Sequence, residues 1–353
     1  MTGLQSLGRV SASLGRRDLL VGAAGLALSA CGRNQPLTAS HTPRLDMKRL
    51  DAEVAAIAAR ALPGILGFGL MNLESGEFWV RLGDRTFPMQ SVFKMIVGAA
   101  ALSEIDAGRL APGEVITLTD KELSPPWSPI ADAWPARTDY TVDELLTLAV
   151  SISDSTAADL LMKRIGGPGA VTAWLQDKDV HEVRVDRYER ELQPDVAGMA
   201  SFRPAWKGAA AFEAAMATIP SAQRLAAMRA AMADPRDSST PRGMLGFLRR
   251  LDQGELISPA STRKLLSIML GSPRGAERIK AGLPKDVRFA HKIGTWGGAP
   301  GGLSEAYNDV GIFTLRDRRS YAVAAFLTGS TAPEAARAAL FADLGRTAVR
   351  SVG

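Results

Sequence analysis

The tetrad Ser91-Val92-Phe93-Lys94 opens an apolar run that continues through Met95, Ile96, Val97, Ala99, Ala100 and Leu102. Residues three apart on a helix are neighbours on one face, so this spacing sets a serine hydroxyl beside a lysine amine. A serine at its free pKa is a weak nucleophile and needs a base at hand. A lysine drawn out of water gives up its proton more easily and can serve as that base. At a helix start the same site gains backbone N–H groups aimed at a developing oxyanion. The pattern S-x-x-K alone is common, and it also describes an exposed helix cap followed by a solvated lysine.

Three further elements follow in order. Ser153-Asp154-Ser155 lies in the frame AVSISDSTAADLLMKRIGGPGAV, then comes RVDRYEREL from Arg184 to Leu192, then His291-Lys292-Ile293-Gly294-Thr295. Together with Ser91 and Lys94 this ordered set resembles the class A serine β-lactamases. The resemblance runs from about residue 48 to about 350, nearly the whole chain beyond its leader, and extends to FPMQSVFK, SPI (Ser128 to Ile130), IGGPGAV and AERIKAGLP.

Carried over position by position, the resemblance implies an acyl-serine mechanism. Ser91 attacks a β-lactam carbonyl, with the N–H groups of Ser91 and Thr295 as the oxyanion hole. Lys94 accepts the serine proton, alone or with Glu189 through a water. Ser153, held by Lys94 and Lys292, passes a proton to the leaving nitrogen, and Lys292 attracts the substrate carboxylate. Glu189 separates hydrolase from transpeptidase: penicillin-binding proteins share similar elements but lack a carboxylate placed to activate water on the acyl-enzyme. Such general-base help is worth about 10² to 10⁴ in rate. Arg187 and Asp237 match the ion pair that closes the family's omega loop, and Trp127 and Gly294 fall at substrate-contacting positions.

Four departures bear on that expectation. Ser155 stands where the family usually has an asparagine that binds the substrate's acyl side chain, and Gln193 replaces the asparagine that helps Glu189 hold water. Ile293 replaces the hydroxyl residue of K-T-G, which removes one donor to the substrate carboxylate. Arg278 matches a position where some members carry a carboxylate-binding arginine, although a surface helix arginine fits its sequence context as well. Finally, Pro194 to Pro235 holds about 35 residues more than the usual omega loop, with Ala-rich stretches that favour helix. This insertion, about 195–234, is either a lid over the cleft or a peripheral ornament.

The elements that must position these residues are legible in outline. Apolar residues at helical spacing run from Met47 to Leu62, and Gly67 to Leu73 with Glu77 to Leu82 read as a hairpin around Glu74-Ser75-Gly76. From about 91 to 273 the chain reads as mostly helical, with no convincing strand pair. Strands are expected at Val287 to Lys292, Val310 to Leu315 and Tyr321 to Thr328, and a last helix from about Ala332 to Val349. Neither terminal set of strands makes a stable sheet alone, so the two must pair. The result is an α+β fold of two subdomains: an antiparallel sheet from both chain ends, flanked by helices, with an all-helical subdomain inserted. The resemblance implies five strands and an active site in the cleft between the parts.

The first thirty residues read as an address. Arg16-Arg17 precedes a short Gly/Ala-rich apolar stretch ending Leu28-Ser29-Ala30-Cys31, the pattern of a twin-arginine export signal with a lipoprotein cleavage box. Cys31 is the only cysteine, so a disulfide within the chain is excluded and lipid attachment is the expected role. Residues 31–46 read as a tether and 47–353 as the catalytic part of an exported, periplasmic, lipid-anchored monomer. The apolar content of 46% is ordinary for a soluble domain. The net charge of +5 includes Arg9, Arg16 and Arg17 of the leader and shows no basic run interleaved with aromatics, which argues against nucleic acid. His41, His181 and His291 have no metal-ligand spacing, so neither a metal nor a cofactor is expected. Two rival functions remain beside the β-lactamase: a D-alanyl-peptide carboxypeptidase or transpeptidase, and a tethered β-lactam or peptidoglycan sensor that acylates and stalls.

Overall fold

The computed structural model describes residues 44–352. The export segment, Cys31 and the tether up to residue 43 lie outside them. The strands are β1 (Ile65–Asn72), β2 (Phe78–Arg81), β3 (Phe87–Pro88), β4 (Val115–Thr117), β5 (Asp139–Thr141), β6 (Ser238–Ser239), β7 (Arg288–Trp296), β8 (Ala306–Thr314) and β9 (Ser320–Thr328). The α-helices are α1 (Met47–Arg60), α2 (Phe93–Asp106), α3 (Pro129–Ala133), α4 (Val142–Thr147), α5 (Ser155–Arg164), α6 (Pro168–Asp177) and α7 (Glu189–Ala197). They continue with α8 (Ala209–Ala217), α9 (Ser221–Ala233), α10 (Pro241–Asp252), α11 (Pro259–Leu270), α12 (Ile279–Gly282) and α13 (Glu334–Arg350).

Strands from the two chain ends do share one sheet. Its order is β2-β1-β9-β8-β7, antiparallel throughout, and β1 meets β9 from Ile65↔Thr328 to Asn72↔Tyr321. One face packs Phe68, Tyr307, Phe313 and Tyr321 against α1 and α13. The other face, through Val310, Ala324 and Phe326, joins the core of the helical part. At the centre of that part is α2, buried without a break from Phe93 to Leu102. A helix that is apolar all round belongs inside, and α5, α6 and α11 surround it.

The strands β7 and β8 extend well past their expected ends. In β8 every residue from Ala306 to Phe313 is buried, so both faces are covered and the period-two alternation that marks a strand in sequence is lost. The middle of the chain also contains two strand pairs that the sequence reading missed: β4 with β5, and β6 with β3. Strands of two or three residues are too short to leave a periodic signal.

The insertion is closed at its neck and packed at its tip. Arg184 N donates to Ser238 O at 3.0 Å and Val183 bridges Ser239, so the chain entering the loop pairs with the chain leaving it. Between them lie a 3-10 turn at Pro204–Trp206 and helices α8 and α9. Phe212 and Met228 are buried, and α9 packs on α7. Lys207 donates to Trp134 O, with its ammonium 5.1 Å from the Trp134 ring centroid. The segment is thus anchored on α7 and on the helical subdomain.

Candidate active site

Ser91 sits in a 3-10 turn, Gln90–Val92, that runs directly into α2. The turn is fixed from outside. Asn308 Nδ2 donates to Pro88 O at 2.8 Å and to Met89 O at 3.1 Å, and Met89 N donates to Asp237 O at 3.0 Å. Strand β7 passes so close that a Cβ on Gly294 would lie 2.2 Å from Met89 O, so only glycine fits there. Gln90 adopts a left-handed φ of 47°, a strained choice for a side-chain-bearing residue. Ser91 itself is half-buried, and its hydroxyl makes no hydrogen bond among the described residues.

Lys94 lies one helical turn on and is 1% exposed. Its ammonium donates to Ser153 O at 2.8 Å and Ser155 Oγ at 3.2 Å, and lies 2.8 Å from Glu189 Oε1. A buried ammonium without such a partner would cost several kcal/mol, on the order of 3 to 5. Ser153 follows a π-helical turn, Leu148–Ile152, and takes φ 70°. That conformation turns its hydroxyl toward Lys292, whose Nζ donates to Ser153 Oγ at 2.9 Å. Burial, together with the charges of Lys94 and Arg274, holds the Lys292 ammonium well below the usual lysine range. Asp154 caps α5 through Ala157 N at 2.9 Å and accepts from Ile130 N at 2.7 Å. The serine motif is thus tied to the loop that carries Trp127.

Glu189 is the first residue of α7 and is fully buried. Its helix is capped in trans. Asp159 of α5 accepts from Glu189 N at 2.7 Å through one oxygen, and from Arg190 N at 3.0 Å and Ser124 Oγ at 2.6 Å through the other. Two of the donors that a helix start leaves unpaired are thereby satisfied by a carboxylate at the positive end of the helix dipole. Burial raises the Asp159 carboxyl to about 7, and the neighbouring Glu189 charge adds to the rise. One turn along α7, Gln193 Nε2 donates to Glu189 Oε2 at 2.5 Å and to Gln90 Oε1 at 3.1 Å. Gln193 Oε1 and Glu189 Oε1 are buried acceptors with no hydrogen bond inside the protein; the Lys94 contact to Glu189 is an ion pair without hydrogen-bond geometry.

The loop that presents Glu189 is clamped at its ends. Arg187 Nε donates to Asp237 Oδ2 at 2.6 Å, while Asp237 Oδ1 accepts from Asp186 N at 2.7 Å and Arg187 N at 3.1 Å. Arg187 Nη1 also reaches Asp195 Oδ2 at 2.9 Å. The expected ion pair is present, and it is buried.

The open side of the pocket is lined by Trp127, Arg274, Ile293, Thr295 and Trp296, with Ser91, Lys94, Ser153, Ser155 and Gln193 at its floor. Arg278 is not the surface helix residue that its sequence context allowed. It is 2% exposed, its guanidinium lies 3.7 Å from the Tyr307 ring centroid, and it donates to Asn308 O at 2.7 Å and Thr295 Oγ1 at 2.5 Å. Main-chain carbonyls and an aromatic face replace the water that an arginine normally keeps. The guanidinium that does face the pocket belongs to Arg274, 5.3 Å from the ring centroid of Trp127, and it makes no hydrogen bond or ion pair among the described residues. Arg274, Asp159 and Asn308 were all missed in the sequence, where nothing local marks them.

The Beta-lactamase enzyme family matches residues 49–352. Extended-spectrum beta-lactamase PER-1 of Pseudomonas aeruginosa is 30% identical over 84% of this chain and 84% of that protein. Beta-lactamase L2 of Stenotrophomonas maltophilia is 28% identical over 94% of this chain and 95% of that protein. Among solved structures, an ancestral class A β-lactamase superposes with a TM-score of 0.69 at 31% identity, covering 85% of this chain and 99% of that one. The chain belongs to the class A serine β-lactamases. It is a hydrolase of that family, on the two-subdomain α+β fold that the family shares.

Against the family pattern this β-lactamase keeps its polar floor and changes its walls. Ser155 gives its oxygen to Lys94. Gln193 reaches both Glu189 and the turn before Ser91, which its longer side chain permits. Ile293 is 8% exposed and adds an apolar wall between Lys292 and Gly294.

Proposed function

We propose that this β-lactamase works through an acyl-enzyme on Ser91 that is hydrolysed with Glu189 as general base. The observation that carries the reading is the buried Lys94–Glu189 pair at 2.8 Å, shared with Ser153 and opening on Ser91 in one pocket. In acylation Lys94 passes a proton to Glu189 and takes one from Ser91, whose oxygen bonds to the lactam carbon. The C–N bond then breaks as Ser153 Oγ protonates the nitrogen, and Lys292 restores the Ser153 proton with the ease that its depressed pKa gives it. Before deacylation Glu189 gives up the proton it took in acylation, which restores the one Lys292 lost, and is ionised again; a water held by the acceptor oxygens of Gln193 and Glu189 then gives its proton to Glu189 and attacks the ester. The ester bond breaks and Ser91 recovers its proton through Lys94. A chromogenic cephalosporin assay with mass spectrometry of the reacted protein tests this: rapid turnover supports it, and peptide cleavage without lactam turnover rejects it. A persistent adduct is the sensor reading, favoured by Gln193 Nε2 donating to Glu189 Oε2 and so occupying an acceptor of the base.

Arg274 is the cation that meets the substrate carboxylate in this reading. Ile293 has no hydroxyl to offer and Arg278 is committed to Thr295, whereas Arg274 is unpaired at the pocket wall. A charge-assisted hydrogen bond is worth about 1.5 to 3 kcal/mol, so Arg274→Ala should raise KM about 10- to 100-fold with kcat little changed. Steady-state kinetics check it; an unchanged KM removes Arg274 from substrate binding.

Residues 1–46 are proposed as an export signal and a lipid-bearing tether on Cys31. Cells fed labelled palmitate should label the native protein and not a Cys31→Ala variant. Equal label in both, or in neither, overturns the anchor.

A further inference from the structure

Glu305 is a fully buried carboxylate that the mechanism above does not use. It lies just before β8, where Ser304 N donates to Ser330 O and Ser304 Oγ to Trp296 O, so its backbone is locked. Gln90 Nε2 donates to Glu305 Oε2 at 2.7 Å, Gln193 Nε2 donates to Gln90 Oε1 at 3.1 Å, and the same Gln193 nitrogen donates to Glu189 Oε2 at 2.5 Å. All four side chains are buried. They form one hydrogen-bonded line from Glu305 to the residue read above as the general base.

We propose that Glu305 is a positioning residue for the hydrolytic step: through the amides of Gln90 and Gln193 it sets which edge of Gln193 faces Glu189 and the attacking water. The argument is donor–acceptor accounting. An ionised carboxylate only accepts, so Gln90 must turn its NH₂ toward Glu305 and its oxygen toward Gln193. Gln193 must then spend one N–H on Gln90 and the other on Glu189. Its oxygen is left beside Glu189 Oε1 as a second buried acceptor, and two adjacent acceptors suit the two hydrogens of a water. If Glu305 carries a proton it can donate, and the Gln90 amide can turn over. Its NH₂ then faces Gln193 Nε2, two donors meet, and Gln193 loses the contact that keeps its oxygen beside the water. The strained turn at Gln90 supports the same view, since a left-handed residue persists only where its surroundings over-determine it.

The reversal falls within an accessible pH range. Burial raises the Glu305 carboxyl to about 7, against the pull of Gln90 and Arg187 and with the push of Asp237 and Asp234. Arg187 reaches it from the segment before α7, and the two aspartates from the segment after α9. Deacylation should therefore fall as pH drops through about 7, because the working orientation needs the ionised form.

This inference rests on the deacylation reading, so its test has one arm that needs turnover and one that does not. For a single ionisation near pH 7, the wild-type deacylation rate should be about tenfold higher at pH 8 than at pH 6. Glu305→Gln, which keeps the size and does not titrate, should lower that ratio to the part contributed by Asp159, the other carboxyl raised to about 7 beside Glu189, while changing the acylation rate less than about twofold. In the second arm, side-chain amide NMR of the unreacted protein labelled at glutamine should show Gln90 and Gln193 shifting together with one midpoint near 7, and neither shifting in Glu305→Gln. Gln90→Met breaks the line in the middle and should silence Gln193 with Glu305 intact, which guards against a variant that fails to fold. A pH 8 to pH 6 ratio that is undiminished in Glu305→Gln overturns the proposal, and so do Gln193 amide signals that stay flat from pH 5 to 9 in the native protein. Absence of lactam turnover in the native protein would instead reject the deacylation reading and leave the NMR arm to decide the line itself.

Discussion

Ser91→Ala is expected to abolish turnover, by about 10⁶-fold in kcat on the scale of a nucleophile removed from an acyl-serine centre, and to abolish every covalent adduct. No other group in the pocket can replace it. Lys94 is held by three partners, and Ser153 has its hydroxyl bound by Lys292. The fold should be indifferent, because the Ser91 hydroxyl makes no hydrogen bond among the described residues and its loss leaves no buried partner unpaired. Mass spectrometry after mixing with a cephalosporin reads the adduct and thermal unfolding reads the fold. An adduct on the variant, or one mapped to another residue of the native chain, sinks the assignment.

Glu189→Gln is expected to trap the acyl-enzyme. The water loses its base while Ser91, Lys94 and Ser153 stay in place, so deacylation should fall by about 10² to 10⁴, and a mass shift of one substrate should persist for minutes. Acylation survives for a physical reason. A buried ammonium without its carboxylate gives up its proton more readily, which leaves a free amine beside Ser91. The amide side chain keeps the size of the carboxylate and one oxygen, which can face Lys94, so the variant should fold. If steady-state turnover were unchanged, Glu189 would be only the structural counter-ion of Lys94.

The parts of the site legible in the sequence are those whose geometry is local. Ser91 and Lys94 are one helical turn apart, Ser153 and Ser155 flank a helix cap, and Lys292 to Thr295 lie on one strand; each spacing is local, and their order along the chain carries the resemblance that gives them roles. The loop ends Arg187 and Asp237 were readable only because they match a pattern already known for a family. Asp159 was not readable, since its role is to cap a helix that begins 30 residues later. Gln90 and Glu305 are 215 residues apart and meet only because β8 runs beneath the turn that carries Ser91. Arg278 and Arg274 show the limit from the other side: two nearby arginines of like sequence context, one buried against Tyr307 and one facing the pocket.

By itself the sequence determined the family and the order of its motifs along the chain, because Ser91 and Lys94, Ser153, Glu189 and Lys292 each sit in a short segment whose local structure their neighbours dictate. It also determined that strands from both ends must meet, because neither end buries a sheet alone. Only the tertiary structure decided which charges are buried and what each one holds, because burial depends on what packs across from a residue rather than beside it in the chain. That is how Lys94 comes to be paired with Glu189, how the insertion comes to pack on α7, and how Glu305 comes to stand behind Gln90 and Gln193.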